Sequence, residues 1–272
     1  MEFKKGTKVQ IKAASSYISL EQAKLTLERE LGKDKNLEVT KKRGFQTWNE
    51  LLNRVLVEGG TEEQKRTFYS CLFRANLFSR KFYERKENND PYYYSPYDGK
   101  VYDGYMYTDN GFWDTFRSQF PLTNILHPTM QGRYMNALLD AQDQLGWLPS
   151  WSAPGETGGG MIGNHAISLL TDAWAKGIRT FDPERALKAY ANEAMNKGPY
   201  GGANGRHWWK EYYQHGFVTY PESLGSTAQT LEYAYDDFCG YQLAKMVVNI
   251  IKMFLKDKCI IISMCLTLKL VL

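Results

Sequence analysis

Residues 226–246 read STAQTLEYAYDDFCGYQLAKM, and the period of this stretch decides the fold. Leu231, Ala234, Tyr235 and Phe238 recur at helical spacing behind a capping box of Ser226 and Gln229, so the segment is expected to form a long amphipathic helix. Glu232 and Asp236 are four apart and share one face of that helix, with Asp237 beside them. Spacing alone favours this face as the solvated one. Turned inward, two carboxylates would crowd unless a cation, a sugar or a shared proton sat between them.

The same signals extend along the chain. Ser19 with Gln22, Thr47 with Glu50 and Thr61 with Gln64 are further capping boxes, and Asp182-Pro183 offers a cap followed by proline at the first helical position. Helical periodicity recurs in Trp48, Leu51, Leu52, Val55 and in Phe68, Leu72, Ala75, Phe78. Further helices are expected near 112–126, 128–145 and 161–176, about eight in all. Thr7 to Ala14 alternates and is the only segment that reads as a strand. The fold class is therefore all-α, with one strand and a helix from Ser19 ahead of the main helical body.

Composition narrows the function classes. The chain has 272 residues, 43% hydrophobic and 24% charged, as a water-soluble globular protein would. Aromatic residues reach 14%, chiefly Tyr and Trp, which stack on sugars or bases as readily as they fill cores. All Gly, Pro, Tyr and Trp precede Val247. The tail from there to Leu272 sets four lysines against one aspartate and so carries +3 of the formal +4, which leaves no basic footprint for nucleic acid. Its longest uncharged run, Cys259 to Leu268, is ten residues, whereas a membrane span needs roughly 20. The basic N-terminus is followed by no apolar core, so no secretory signal is read. Cys71 and Cys239 form no CxxC pair, and neither a disulfide framework nor a zinc site is expected.

Two long loops, 88–111 and 147–160, are places where function concentrates. PYYYSPYDGKVYDGYMYTDNG, residues 91–111, is expected to be a packed Ω-loop or a ligand-binding one. At its end Trp113, Asp114 and Arg117 put an indole beside a carboxylate. Trp can stack on the apolar face of a sugar while Asp accepts from two adjacent hydroxyls, although a core Trp and a capping Asp fit the same letters. Gly158 to Gly163 follows no strand and lacks the Lys-Ser/Thr of a phosphate loop, so it reads as a tight backbone approach into a helix. His127, His165, His207 and His215 show no metal spacing; His207, within Gly205 to Trp209, has the aromatic company of a pocket wall.

Taken together, FYSCLFRANLFSRKF (68–82), YTDNGFWDTFRSQFPL (107–122), GWLPSWSAPGE (146–156), GMIGNHAISLLTDAWAKGI (160–178) and the 226–246 helix resemble glycoside hydrolase family 92, the calcium-dependent exo-acting α-mannosidases. The resemblance runs from Thr7 to Met246. It implies a β-sandwich followed by an (α/α)6 toroid, and inverting hydrolysis of α-mannoside glycans by an acid and a base set apart to admit water. It also implies calcium, a hard cation that takes oxygen ligands, on the terminal mannose hydroxyls. Carried over residue by residue, Asp114 is a contact to the terminal mannose with Trp113 and Arg117 in support. Glu232, Asp236 and Asp237 have structural roles behind the site.

Here the sequence departs from the family pattern. The general acid of the family lies in an E-G-N-x-x-Q stretch, the base in a later G-N-D-D-x-G-x-M-S stretch, and much of the calcium site between them; none of these strings is present. No catalytic or metal-ligating residue is therefore expected in this chain, and most calcium ligands are expected outside it. The expected organisation is a strand left from the β-sandwich at 1–18, linker helices at 19–60, an incomplete (α/α)6 toroid at 61–246 and a foreign tail at 247–272. A frameshift after Met246 is the expected source of the tail, since permitted codons read one nucleotide earlier restore tyrosine and helical spacing. The resulting expectation is a glycosidase fragment with little activity of its own; the competing one is a non-catalytic carbohydrate-binding module. Exposed apolar surface is expected where further helices would pack. Family members are usually exported, which the absent signal leaves open.

Overall fold

Side-chain capping sets several helix starts as the sequence implies. In the computed structural model, which describes residues 2–33, 36–152, 161–198, 204–221 and 223–247, ten helices and five short strands are found among the described residues. The first helix, α1 (Leu20–Leu31), is capped by the Ser19 hydroxyl, which accepts from the Gln22 amide. Ahead of α3 (Glu62–Ala75) the capping box is fully formed, with Gln64 N–H donating to Thr61 Oγ1 at 3.2 Å and Thr61 N–H donating to Gln64 Oε1 at 2.9 Å. Thr61→Ala removes one of these bonds and is expected to lower stability by about 1 kcal/mol in a urea melt of the whole chain.

Two expected caps are not used. Thr47 lies inside α2 (Leu37–Leu52), where its hydroxyl donates back to the Arg43 carbonyl, and Asn36 caps that helix instead. An asparagine about three turns upstream wins because the first residue able to satisfy the open amides starts the helix. Ser226 is itself helical in α10 (Ser226–Met246), and Gly225 occupies the cap position with no side chain to offer.

The chain divides into two units. The smaller holds α1, α2, most of α3 and an antiparallel sheet of β2 (Glu84–Arg85), β3 (Pro91–Tyr94) and β4 (Val101–Asp103), in the order β2-β3-β4. Gln22, buried on α1, ties helix to sheet: its amide donates to the Arg85 carbonyl at 3.0 Å, and its carbonyl accepts from Tyr92 OH at 2.6 Å. Residues 7–14 form no strand, which corrects the expectation drawn from their alternation. They are exposed and no strand lies beside them among the described residues, so their backbone has water rather than a ladder for a partner.

The larger unit carries the helical core. A two-stranded ladder of β1 (Arg80–Lys81) with β5 (Tyr107–Thr108) leads into α4 (Phe112–Thr115), α5 (Gln119–Leu126), α6 (Pro128–Leu145), α7 (Ala166–Ala175), α8 (Pro183–Met195), α9 (Trp209–His215) and α10. Residues 112–126 thus make two helices rather than one. Pro128 opens α6, and Gly146, at φ +84°, ends it in the left-handed conformation that favours glycine. Asp182 caps α8 by accepting from Glu184 N–H at 2.8 Å. Packed against α5, α6, α8 and α10, α7 is the centre of a core in which Leu139, Ile167, Leu170, Leu187 and Leu243 are fully buried.

The chain is therefore helix-rich but not all-α. The segment expected as an Ω-loop supplies β3, β4 and β5, because its tyrosines alternate sides: Tyr93 is buried and stacks on Tyr102 at 5.9 Å, while Tyr94 is exposed. The GETGGG run lies outside the described residues except for its neighbours, as does the tail from 248 onward. Among the described residues no helix is long and apolar enough to cross a membrane.

Candidate functional site

Helix α10 is inverted relative to its hydropathy. Asp236 and Asp237 are 1% and 2% exposed, while Leu231 and Phe238 are 66% and 48% exposed. The acidic face, expected in solvent, points inward. The reason is a set of partners spread over distant segments, which satisfy the buried charges as burial requires.

Glu232 is the hub. Its Oε1 accepts from Trp113 Nε1 at 3.1 Å, and Arg117 Nη2 stands 3.9 Å from the same oxygen. On the other side His165 Nε2 lies 3.1 Å from Glu232 Oε2, at ion-pair distance but out of line for a hydrogen bond. The second ring nitrogen, Nδ1, is 2.9 Å from Asp236 Oδ1, so one buried imidazole spans two carboxylates. Asp236 Oδ2 accepts from the Asn164 backbone N–H at 2.9 Å. Phe116 stacks on the imidazole at 4.3 Å, and the Arg117 guanidinium covers Trp113 at 4.8 Å and Phe116 at 4.6 Å.

Gly163 makes this convergence possible. At φ +78° it occupies the left-handed region, and a Cβ there would come within 3.1 Å of both Glu232 Cβ and His165 Cε1 and 3.2 Å of Asp236 Oδ2. The tight backbone approach expected of this glycine-rich stretch is realised at Gly163.

Behind the hub lies a second buried network. Asn164 Nδ2 donates to Glu193 Oε1 at 2.8 Å, and the same oxygen accepts from Gly205 N–H at 2.5 Å. Burial pushes the Glu193 carboxyl up to about 7, with those two donors opposing the rise. Arg206 donates to Asp237 Oδ1 at 2.5 Å, to Tyr190 OH at 2.7 Å and to the Tyr233 carbonyl at 3.1 Å. Burial lifts the Asp237 carboxyl above its usual range while Arg206 pulls it down. The Gly205 to Trp209 stretch therefore serves the core through Arg206, and His207 packs edge-on against Trp208 at 4.4 Å.

The profile of the Glycosyl hydrolase family 92 catalytic domain matches residues 22–257. The chain belongs to glycosyl hydrolase family 92. Among solved structures it is similar to the family GH92 inverting mannosidase BT2199 from Bacteroides thetaiotaomicron, at 44% identity and a TM-score of 0.85 over 93% of this chain. It is also similar to the family GH92 α-mannosidase BT3965 from the same organism in complex with mannoimidazole, at 28% identity and a TM-score of 0.75 over 85% of this chain. The chain spans 33% and 29% of those two structures. A comparison with curated proteins gives no match.

Within this family 92 chain, the sequence motifs converge in part. Trp113 and Arg117 meet Glu232, as their separation of more than a hundred residues could not reveal, while Asp114 is exposed on the same short helix, α4, and caps nothing. Asp236 and Asp237 are buried behind the hub rather than on the solvated face that spacing favours. His165 went unrecognised because a histidine search keyed to i,i+4 pairs overlooks partners on another helix. The available signal was its place just after Gly163, where close backbone packing brings a ring against whatever faces it.

Calcium does not fit between Glu232 and Asp236. A calcium ion takes about six to eight oxygens, but Glu232 and Asp236 each have both oxygens facing a nitrogen, and an imidazole fills the space between them. Among the described residues no cluster of His, Cys, Asp or Glu has the arrangement of a metal site.

Proposed function

We propose that this chain is the first part of the helical catalytic domain of an inverting, calcium-dependent α-mannosidase, forming one wall of the site that takes the terminal mannose of a glycan. The observation that carries this reading is the meeting of Trp113, Arg117 and Glu232 beside the exposed carboxylate of Asp114. An indole held at its edge presents an apolar face for a sugar ring, and a carboxylate next to it accepts from adjacent hydroxyls. The helical body is read as the opening helices of an (α/α)6 toroid, with 1–18 and 19–60 leading into it and 247–272 as a frameshifted tail. The parent enzyme is read as exported.

Hydrolysis requires groups that the chain does not supply. The general-acid and general-base stretches of the family are absent from its sequence, and the buried Asp236 carboxylate is engaged with nitrogen partners on both oxygens. Calcium, when bound by the intact enzyme, would hold and distort the mannose ring; its ligands are placed outside the described residues.

The purified 272-residue chain is therefore expected to bind mannose or α-mannobiose weakly and saturably in calorimetry, with a Kd on the order of 1 mM, and to release no mannose with or without calcium. Trp113→Ala should abolish the binding signal. Calcium-dependent turnover would overturn the proposed inactivity. Absence of binding, or binding indifferent to Trp113, would overturn the sugar-contact role.

A further inference from the structure

We infer that His165 is a positioning residue: braced by Asp236, it fixes the Glu232 carboxylate so that this group accepts from a pair of hydroxyls on a neutral sugar. The inference rests on the sugar-site reading above. It adds a ligand contact at Glu232 and a device that holds it.

The argument begins from a gradient of burial. Glu193 and Asp236 are 2% and 1% exposed, and the His165 side chain is 1% exposed, whereas the Glu232 side chain is 18% exposed. The polar chain runs from Glu193 through Asn164, Asp236 and His165 and ends on the one carboxylate that reaches the surface. A scaffold needed only to join helices would end on a buried partner. This one ends on an accessible acceptor, beside Trp113 and Arg117.

Three side chains from two segments press on Glu232: the Trp113 indole N–H and the Arg117 guanidinium from one turn, and the His165 ring from the start of another helix. A glutamate free on a helix surface would lose rotamer entropy when a ligand fixed it. Held in advance, it loses little of that on binding, which is how preorganisation raises affinity. Two carboxylate oxygens offer about four lone-pair sites, so the contacts described leave acceptor capacity for hydroxyl donors. Glu232 and Asp114 outnumber the one cation placed with them, Arg117, which disfavours an anionic ligand and suits a neutral polyol.

His165 cannot swing away from this task. Its ring is stacked on Phe116 and flanked by Tyr235 at 5.9 Å, and its Cε1 packs so close to Gly163 that a Cβ there would stand 3.1 Å away.

Two isosteres separate positioning from mere packing. An asparagine amide nitrogen occupies the place of Nδ1, and a glutamine amide nitrogen that of Nε2. His165→Asn thus keeps the buried Asp236 contact and loses Glu232, whereas His165→Gln keeps the reach to Glu232. With the whole chain and mannose as the probe, His165→Asn should weaken binding about tenfold, because an unbraced Glu232 side chain must then be ordered by the ligand itself. His165→Gln should recover most of that loss. The indole N–H resonance of Trp113, a direct reporter on Glu232, should move in His165→Asn and return towards its native position in His165→Gln.

Equal binding by both variants with an unmoved indole resonance would overturn the inference. Should the native chain bind no mannose, the sugar-site reading fails, and the indole resonance still decides whether His165 positions Glu232. Should His165→Asn not fold, Glu232→Gln replaces it: the His165 Nε2 nitrogen resonance must then shift, and an unchanged one overturns the inference.

Discussion

Asp237→Ala is expected to lower the melting temperature of the chain by roughly 10 °C, the largest effect of any single substitution considered. Asp237 and Arg206 are 2% and 4% exposed and joined by a 2.5 Å contact. Removing the carboxylate leaves a guanidinium enclosed by Tyr190, Tyr212 and Tyr233, with ring centroids 5.7, 5.5 and 4.8 Å away. Those rings attract the cation but cannot replace a full countercharge. Breaking such a pair from one side costs about 3 to 5 kcal/mol, a large share of a folding stability of about 5 to 15 kcal/mol, and each kcal/mol moves the midpoint of a chain this size by about 2 to 4 °C. The double variant Arg206→Met with Asp237→Leu removes both charges and should regain much of the loss. Calorimetric melts of the three proteins decide it: a single variant within about 1 kcal/mol of the native chain would refute the assignment of this pair as essential.

The second large effect is a pH dependence that Glu193 imposes. Its carboxyl is pushed from an ordinary value of 4.5 up to about 7 by burial. Between those two values the folded chain keeps a proton that the unfolded chain has released. Stability from this group is therefore complete below about pH 4.5, declines as pH rises, and is fully lost above about pH 7, a change of roughly 3 kcal/mol. Glu193→Gln retains the oxygen that accepts from Asn164 and Gly205 and never ionises. Urea melts should find the variant more stable than the native chain at pH 8, by up to about 3 kcal/mol, and nearly equal to it at pH 5. An identical advantage at both values would exclude ionisation as the cause.

These two residues also mark the boundary of what the sequence discloses. Helix ends that depend on a residue and a neighbour two or three positions on, as at Ser19, Thr61 and Asp182, are local and were legible. Thr47 failed because Asn36 offered an earlier cap, a competition that no single motif displays. The alternation of residues 7–14 is likewise a local property, but a strand is a relation between two segments, and the second segment is not beside it. Conversely, the tyrosine-rich stretch paired with itself and with Arg80–Lys81, so strands arose where composition indicated a loop.

For the site, residue types were readable and orientation was not. Trp113, Asp114, Arg117 and the acidic run of α10 could be named from their letters. Which face of α10 turns inward depends on Arg206, Asn164 and His165, whose separations from their partners are 31, 72 and 71 residues. Periodicity ranks faces by hydropathy and therefore places Leu231 and Phe238 inside. The ion pair and the histidine bridge reverse that ranking, because a charge with its partners is bound to the place where the partners are.

The relay from Glu193 to Glu232 crosses between chain segments at almost every step: α8, the residue ahead of α7, α10, the start of α7, and α10 again. Its links close loops of 29 to 72 residues, and such closures are made late, after local turns and helices have formed. Arrival of the Trp113 indole at Glu232 is consequently a clock for the last stage of folding. Its indole N–H resonance should reach the native position with the slowest refolding phase, after helical content has returned, so that the Glu232 edge is the final part of this unit to form.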